Sequence, residues 1–167
     1  MLRAQHGLDF TKDSRQLLAS TRKGVAFWCD IVTNTRKSLP GYAGNLKRVI
    51  SVDLSPDRRL AALGHEDGTI QLLEVDSGKS LGSFQAHAGR VRTLSFSPDG
   101  QTLASGGSDR AIKLWEVQRQ IKLGEKVEHK GAVCAAVLSH DGTRLASGCG
   151  AGTLKLWDPA NLTNSLV

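Results

Sequence analysis

Ser105, His87 and Asp109 are the three side-chain types of a nucleophilic triad. In that chemistry the histidine takes the serine proton and the carboxylate holds the imidazole in one tautomer. A serine used this way sits on an exposed strand-to-helix elbow of the form G-x-S-x-G, and no such elbow surrounds Ser105. Gly148-Cys-Gly-Ala-Gly152 has the glycine content of a phosphate-cradling loop. Such loops work at a helix N-terminus; here the flanking runs are β-rich, so the segment reads as a permissive hairpin turn. Cys134, Cys149 and His129 are too few for a metal site, which takes about four ligands. Neither a metal nor a cofactor is expected, and both cysteines read as small packing residues. His65 and His140 fall in turns and read as solvated.

The bulk numbers narrow the function classes. The net charge is +6, and it is uneven: residues 1–48 hold nine Lys/Arg against three Asp/Glu, whereas the rest is balanced. Such asymmetry marks either an acidic partner or a solvated rim. For nucleic acid the charge fits but the stacking surface does not, because only eight residues are aromatic and single-strand readers combine charge with exposed rings. The longest apolar run, residues 132–138, is far short of the roughly 20 residues that cross a bilayer. The first residues hold no apolar signal segment, and three cysteines without a C-x-x-C pair fit a reducing compartment. An intracellular protein, cytoplasmic or nuclear, is the expectation.

The segment from Phe96 to Glu116, which carries Ser105 and Asp109, recurs. It returns from Leu138 to Asp158, from Leu54 to Glu74 and, in a worn form, from Phe10 to Asp30, at steps of 44, 42 and 42 residues. A period of this length closing on Trp-acid is the mark of stacked four-stranded units. Ser97-Pro98-Asp99-Gly100 is a turn with Pro where φ must lie near −65° and Gly where a left-handed residue is needed. Ser139-His140-Asp141-Gly142 repeats it, and Ser55-Pro56-Asp57-Arg58 loses the Gly. Around each turn lie short β runs, predicting strands a, b and c of an antiparallel meander and a weaker strand d. In strand a the apolar residues are Val91, Leu94 and Phe96, with Val133, Ala136, Leu138 and Val49, Val52, Leu54 in the same places. That spacing breaks alternation and predicts a β-bulge in each of these three units. Strands b and c are apolar or small on both faces, as inner strands of stacked sheets must be.

The third unit, with Gln85-Ala-His87, Leu94-Ser-Phe96-Ser-Pro-Asp-Gly100, Leu103-Ala-Ser105, Asp109 and Ile112-Lys-Leu-Trp115, resembles the WD-repeat β-propellers, and the resemblance extends over nearly the whole chain. It implies a buried network of His87, Ser105, Asp109 and Trp115, in which the serine hydroxyl is a structural link and not a nucleophile. The fourth unit keeps His129, Ser147 and Trp157 but has Ala151 at the Asp position. The second keeps Asp67 with Leu73 for the Trp, and the first keeps Trp28 with Ser20. The resemblance also implies a partner face flanking each strand-a valine and the turn Asp: Arg48, Ile50 and Glu66; Arg90, Arg92 and Ser108; Ala132, Cys134 and Gly150. The bulge argument reaches the same strand-a positions.

The expected fold is all-β, a single partial propeller over residues 1–167 with blades of four antiparallel strands at about 4–40, 46–84, 88–126 and 130–167. Because propellers use about four to eight blades, and WD rings usually seven or more, four blades predict an open or incomplete ring, a piece of a longer propeller, or self-association to complete the ring. The expected function is a non-catalytic scaffold binding a protein or peptide, an acidic or phosphorylated segment fitting the arginines. The alternatives are a basic nucleic-acid-associated subunit and a piece of a propeller-type enzyme.

Overall fold

In the computed structural model the described residues are 8–10, 14–20, 26–38 and 48–166. They form sixteen strands in four sheets. The first sheet holds β1 (Leu8–Phe10), β2 (Gln16–Ser20), β3 (Ala26–Asp30) and β4 (Thr35–Ser38). The second holds β5 (Val49–Leu54), β6 (Leu60–His65), β7 (Thr69–Glu74) and β8 (Ser80–Gln85). The third holds β9 (Val91–Phe96), β10 (Thr102–Gly107), β11 (Ile112–Glu116) and β12 (Ile121–Lys126). The fourth holds β13 (Val133–Leu138), β14 (Leu145–Cys149), β15 (Leu154–Asp158) and β16 (Thr163–Leu166). Every sheet is an antiparallel meander in chain order. Residues 4–7, which the sequence adds to the first strand, lie outside the described residues, as do Lys12, Arg22, Lys23 and Lys47 of the basic first unit.

The turn chemistry sets each meander. Asp99 Oδ1 accepts from the Ser97 hydroxyl (2.5 Å) and the Gln101 amide (3.0 Å), and Ser97 Oγ accepts from the Thr102 amide (2.9 Å). Gly100 takes φ +70° and Gly142 φ +71°, the left-handed region open to glycine. Arg58 must adopt φ +61° at the same place. Its guanidinium is held by Asp9 Oδ2 at 2.6 Å, across to the first sheet.

The four sheets radiate from their first strands: β1 packs on β5, β5 on β9 and β9 on β13. Apolar side chains alternate between the two faces of each sheet, so each core is shared by two neighbours. Trp115, Leu103 and Phe96 pack back onto Ala62, Ile70 and Leu72 of the second sheet. Ala104, Ile112 and Leu114 pack forward onto Val133, Leu145 and Trp157 of the fourth. Slim residues permit this approach: a Cβ on Gly64 would stand 2.7 Å from Val91 Cγ1, and one on Gly106 2.5 Å from Val133 Cγ1. The outermost strand is wetter, with Ile121 and Leu123 of β12 exposed. Among the described residues, no helix is long and apolar enough to cross a membrane.

The bulges fall where the apolar spacing places them. Register shifts leave Ile50, Arg92 and Cys134 as the extra residues of β5, β9 and β13. Two expectations change. His65 is not solvated; it ends β6 at 1 % exposure, tucked under the inner strands. Cys134 is not a packing residue, because the bulge turns it outward to solvent.

Candidate functional site

The bulged ends of β5, β9 and β13 meet the turns joining the second and third strands of each sheet. A repeated backbone bond fixes the approach: Glu66 N donates to Arg48 O (2.9 Å), Ser108 N to Arg90 O (3.0 Å) and Gly150 N to Ala132 O (3.0 Å). The residue before each inner strand is thereby tied to the residue before the turn aspartate or its replacement. These candidate face residues come together in pairs, one pair per sheet.

Charge then links the second and third sheets. Glu66 Oε2 lies 3.2 Å from Arg48 Nη1, and Oε1 lies 2.5 Å from Arg90 Nη2. Both guanidinium groups are about half exposed, at 44 % and 50 %, so the carboxylate orients them without burying them. Arg92 donates from Nε to Ser108 Oγ at 2.9 Å. Ile50 is buried, and so is a packing residue. In the fourth sheet the corresponding positions are uncharged, and the Cys134 thiol donates to Ala132 O at 3.4 Å. Arg92, Thr93 and Cys134 border a cavity of about 410 Å³ that reaches Val137 and Leu154.

Beneath the face lies the third-sheet network. Trp115 Nε1 donates to Ser105 Oγ (2.8 Å), Ser105 meets His87 Nε2 (2.8 Å), and His87 Nδ1 meets Asp109 Oδ1 (2.9 Å). One proton order satisfies all three: indole N–H to hydroxyl oxygen, hydroxyl to Nε2, and Nδ1–H to carboxylate. Burial holds the His87 imidazole below its ordinary range despite Asp109, which fits this neutral tautomer. Asp109 also accepts from the amides of Ala88 (3.1 Å) and Ala111 (3.2 Å). Burial would raise its carboxyl; His87 and those amides outweigh it and hold the group below the usual carboxylate range. Ser105 is fully buried, so its hydroxyl meets no substrate. G-x-S-x-G does occur once, at Gly78–Gly82, but Ser80 opens the outer strand β8 and accepts from Gln71 Nε2 at 3.2 Å.

The other sheets depart from this network in different ways. In the fourth, His129 Nε2 meets Ser147 Oγ at 2.7 Å and Trp157 Nε1 donates to the same oxygen at 2.7 Å. Ala151 offers no acceptor, and His129 Nδ1 is left buried without a hydrogen-bond partner among the described residues. In the second, Leu63 and Leu73 replace the serine and tryptophan and are buried, while Asp67 turns to the Thr69 amide and hydroxyl at 3.0 and 2.6 Å. In the first, Trp28 is buried and Ser20 Oγ finds no hydrogen-bond partner among the described residues. The sequence reading missed two groups, Asp53 and Ser95, which bond across sheets. No signal marked them, because their partners are backbone amides.

The WD domain, G-beta repeat family matches residues 78–116 and 122–158. No curated protein matches the chain in sequence. Among solved structures, a chain in "Crystal Structure of Mitotic Checkpoint Complex" is similar, with a TM-score of 0.85, 22 % identity and coverage of 98 % of this chain. This chain spans about half the length of that one, 50 %. The shared likeness is one of fold: successive four-stranded blades about a common axis, here an open set of four. The two matched segments, just under half of the chain, carry the family's repeats, and the same four-stranded meander recurs in all four sheets, a fold like that of a partial β-propeller.

Proposed function

We propose that this chain is a non-catalytic interaction scaffold that binds an acidic or phosphorylated segment of a protein partner on the face bearing Arg48, Arg90 and Arg92. The observation that carries the reading is the convergence of Arg48 and Arg90, from adjacent sheets, on Glu66 while both stay half exposed. A guanidinium already oriented loses less entropy on binding, and its planar fork matches carboxylate and phosphate oxygens. Arg92 and Ser108 extend the same surface toward the cavity, where Val137 and Leu154 offer an apolar lining for the residues beside the anion. Catalysis is not part of this reading, since the serine with triad-like neighbours is sealed in the core and already bonded to an indole. Unpaired Cys29, Cys134 and Cys149 support an intracellular setting.

The test is titration of the full chain with acidic and phosphorylated peptides, against Arg90→Ala and Arg92→Ala. Loss of about tenfold or more per arginine at low salt, fading as salt rises, supports the reading. Peptide binding that is unchanged in the variants at low and high salt overturns it. Binding of single-stranded nucleic acid in place of peptide would move the protein to the alternative class.

A further inference from the structure

The groove between neighbouring sheets is not the same along the arc. Between the third and fourth sheets it is a cavity of about 720 Å³, floored by Leu114, Leu138 and Leu162 and bounded by Leu123, Pro98 and Pro159. Its counterpart between the second and third sheets keeps only about 310 Å³, beside Pro56, Asp57 and Val117. Two replacements, each 42 residues on, account for the difference. Phe96 becomes Leu138, which gives up the room of an aromatic ring. Gln120 becomes Leu162. The Gln120 side chain lies over Gly82 and donates from Nε2 to Leu81 O at 3.1 Å, strapping the third sheet to the outer strand β8. Leu162 has no polar head for such a strap; it packs on Gly124, where an added Cβ would stand 2.9 Å from Leu162 Cδ1.

The residues around this cavity set the charge of what can enter. The chain carries a net +6, yet no Lys or Arg lines the cavity, while Asp99, Asp141 and Glu125 do. Glu125 is already answered by Lys113 at 3.2 Å and Lys122 at 2.6 Å. Asp99 and Asp141 are exposed and accept from the hydroxyls and amides of their own turns. The Ser97 and Ser139 hydroxyls, foremost among these donors, hold both carboxyls below the usual carboxylate range, Asp141 at about 2, so both are charged at neutral pH. These turns follow the inner strands, at the end opposite the bulges, so the groove is separate from the face of Arg48, Arg90 and Arg92.

We propose that the groove between the third and fourth sheets is a second docking site, which takes a partner segment carrying an apolar side chain next to a lysine or arginine. The apolar side chain enters over Leu114, Leu138 and Leu162, and Leu123, 55 % exposed at the rim, closes on it from the outer strand. The neighbouring cation lays its methylene stem on Pro98 and brings its head to the Asp99 and Asp141 carboxylates. The volume fits a short segment, since sites that enclose small ligands run from about 300 to 1,000 Å³. The chain then discriminates charge in opposite senses at two places, an anion at the arginines and a cation here.

The experiment titrates the full chain with a short labelled peptide that carries a leucine beside a pair of lysines, and with the same peptide bearing serine for the leucine. The expected result is saturable binding of the leucine peptide, about tenfold or more tighter than the serine peptide. Leu123→Lys, at an exposed position that the fold tolerates, weakens it by about tenfold or more. Asp99→Asn with Asp141→Asn keeps the acceptors of both turns, removes the charge, and takes away the dependence on salt. Arg90→Ala leaves this binding unchanged, so the outcome is independent of the arginine face. No saturation by about 1 mM peptide, equal affinity for the two peptides, or binding that both groove variants leave intact would each overturn the proposal. Sedimentation without peptide completes the test: a dimer that grows with protein concentration and is abolished by Leu123→Lys would give the groove to a second copy of the chain and overturn the proposal as well.

Discussion

Asp53 Oδ2 accepts the backbone N–H of Phe96 at 2.6 Å, joining the inner strand of the second sheet to that of the third. The same position does the same work one sheet earlier and one later: Asp9 Oδ2 takes the Leu54 amide at 3.1 Å, and Ser95 Oγ takes the Leu138 amide at 3.1 Å. The equivalent residue of the fourth sheet is Val137, which is exposed. Inter-sheet contact is thus not apolar alone; each inner strand offers an acceptor to the first strand of its successor.

That contact makes stability depend on pH. Burial pushes the Asp53 carboxyl up to about 7, with the nearby Asp9 charge adding to the effect and the Phe96 amide opposing it. In the unfolded chain the group returns to the ordinary value of about 4. The folded state therefore holds a proton that the unfolded state releases. Stability is whole below about pH 4, falls as pH rises toward about 7, and is flat above, at up to about 1.4 kcal/mol per unit between. Asp53→Asn keeps an oxygen for Phe96 without the charge. Urea melts at pH 5 and pH 8 should show a drop for the wild type and little drop for the variant; parallel drops would reject Asp53 as the source.

The contrast between what the residues announce and what they hide is physical. The 42-residue period, the Ser-Pro-Asp-Gly turns and the three-then-two apolar spacing are local, so they place strands and bulges before any contact is known. Ile50, Arg92 and Cys134 are bulged for that reason. Asp53 gives no such sign: one polar residue amid apolar ones reads as the solvent side of a strand, and its partner lies 43 residues away on the backbone. The Arg48–Glu66–Arg90 bridge was half legible, since the arc of charge showed in the residues but its closure on one carboxylate depends on how adjacent sheets lean. His65 was misread because it takes the Gly107 position in a sheet that lacks the serine and tryptophan of the network.

Asp109→Ala should convert the third sheet to the state of the fourth. It leaves His87 Nδ1 buried without an acceptor and frees the Ala88 and Ala111 amides. The cost is about 1–3 kcal/mol, since an unmet buried donor loses more than a formed bond gains. The reverse change is conditional. A Cβ on Gly107 would stand 2.6 Å from Asp109 Oδ1, and Cys149 holds the Gly107 place in the fourth sheet, so Ala151→Asp with Cys149→Gly rebuilds the third-sheet arrangement more fully than Ala151→Asp alone. Denaturation midpoints of the two singles and the double should show favourable coupling of about 0.5–3 kcal/mol; simple additivity would mean the two positions do not share space.

Glycine tolerance should track whether a further sheet lies against the strand. Gly64→Ala and Gly106→Ala drive a methyl to within 2.7 and 2.5 Å of Val91 and Val133 of the next sheet, and also onto Ser51 Oγ and Thr93 Cγ2 of their own sheets. Each should cost about 1–3 kcal/mol by overpacking. Gly148, at the same place in the fourth sheet, has nothing within 4 Å of an added Cβ. Gly148→Ala should therefore be close to neutral in a chemical melt of this chain. An equal cost at all three would show that the strand conformation, and not the neighbouring sheet, demands glycine.

Glu66 both orients and neutralises the arginines it joins, and the two effects oppose each other when a partner anion arrives. It contacts Arg48 and Arg90 at 3.2 and 2.5 Å with a third of its side chain in water. Exposed ion pairs of this kind contribute little to stability, about 0–1 kcal/mol, so Glu66→Gln should leave the melting temperature nearly unchanged. On the binding side the balance favours the loss of the carboxylate. An incoming phosphate or carboxylate no longer competes with an internal anion, and one more unit of positive charge steers it in. Glu66→Gln should therefore tighten capture of an acidic peptide at low salt and steepen its decline with added salt. Weaker capture with an unchanged salt slope would instead make Glu66 part of the partner's own contact, donating nothing to its charge preference.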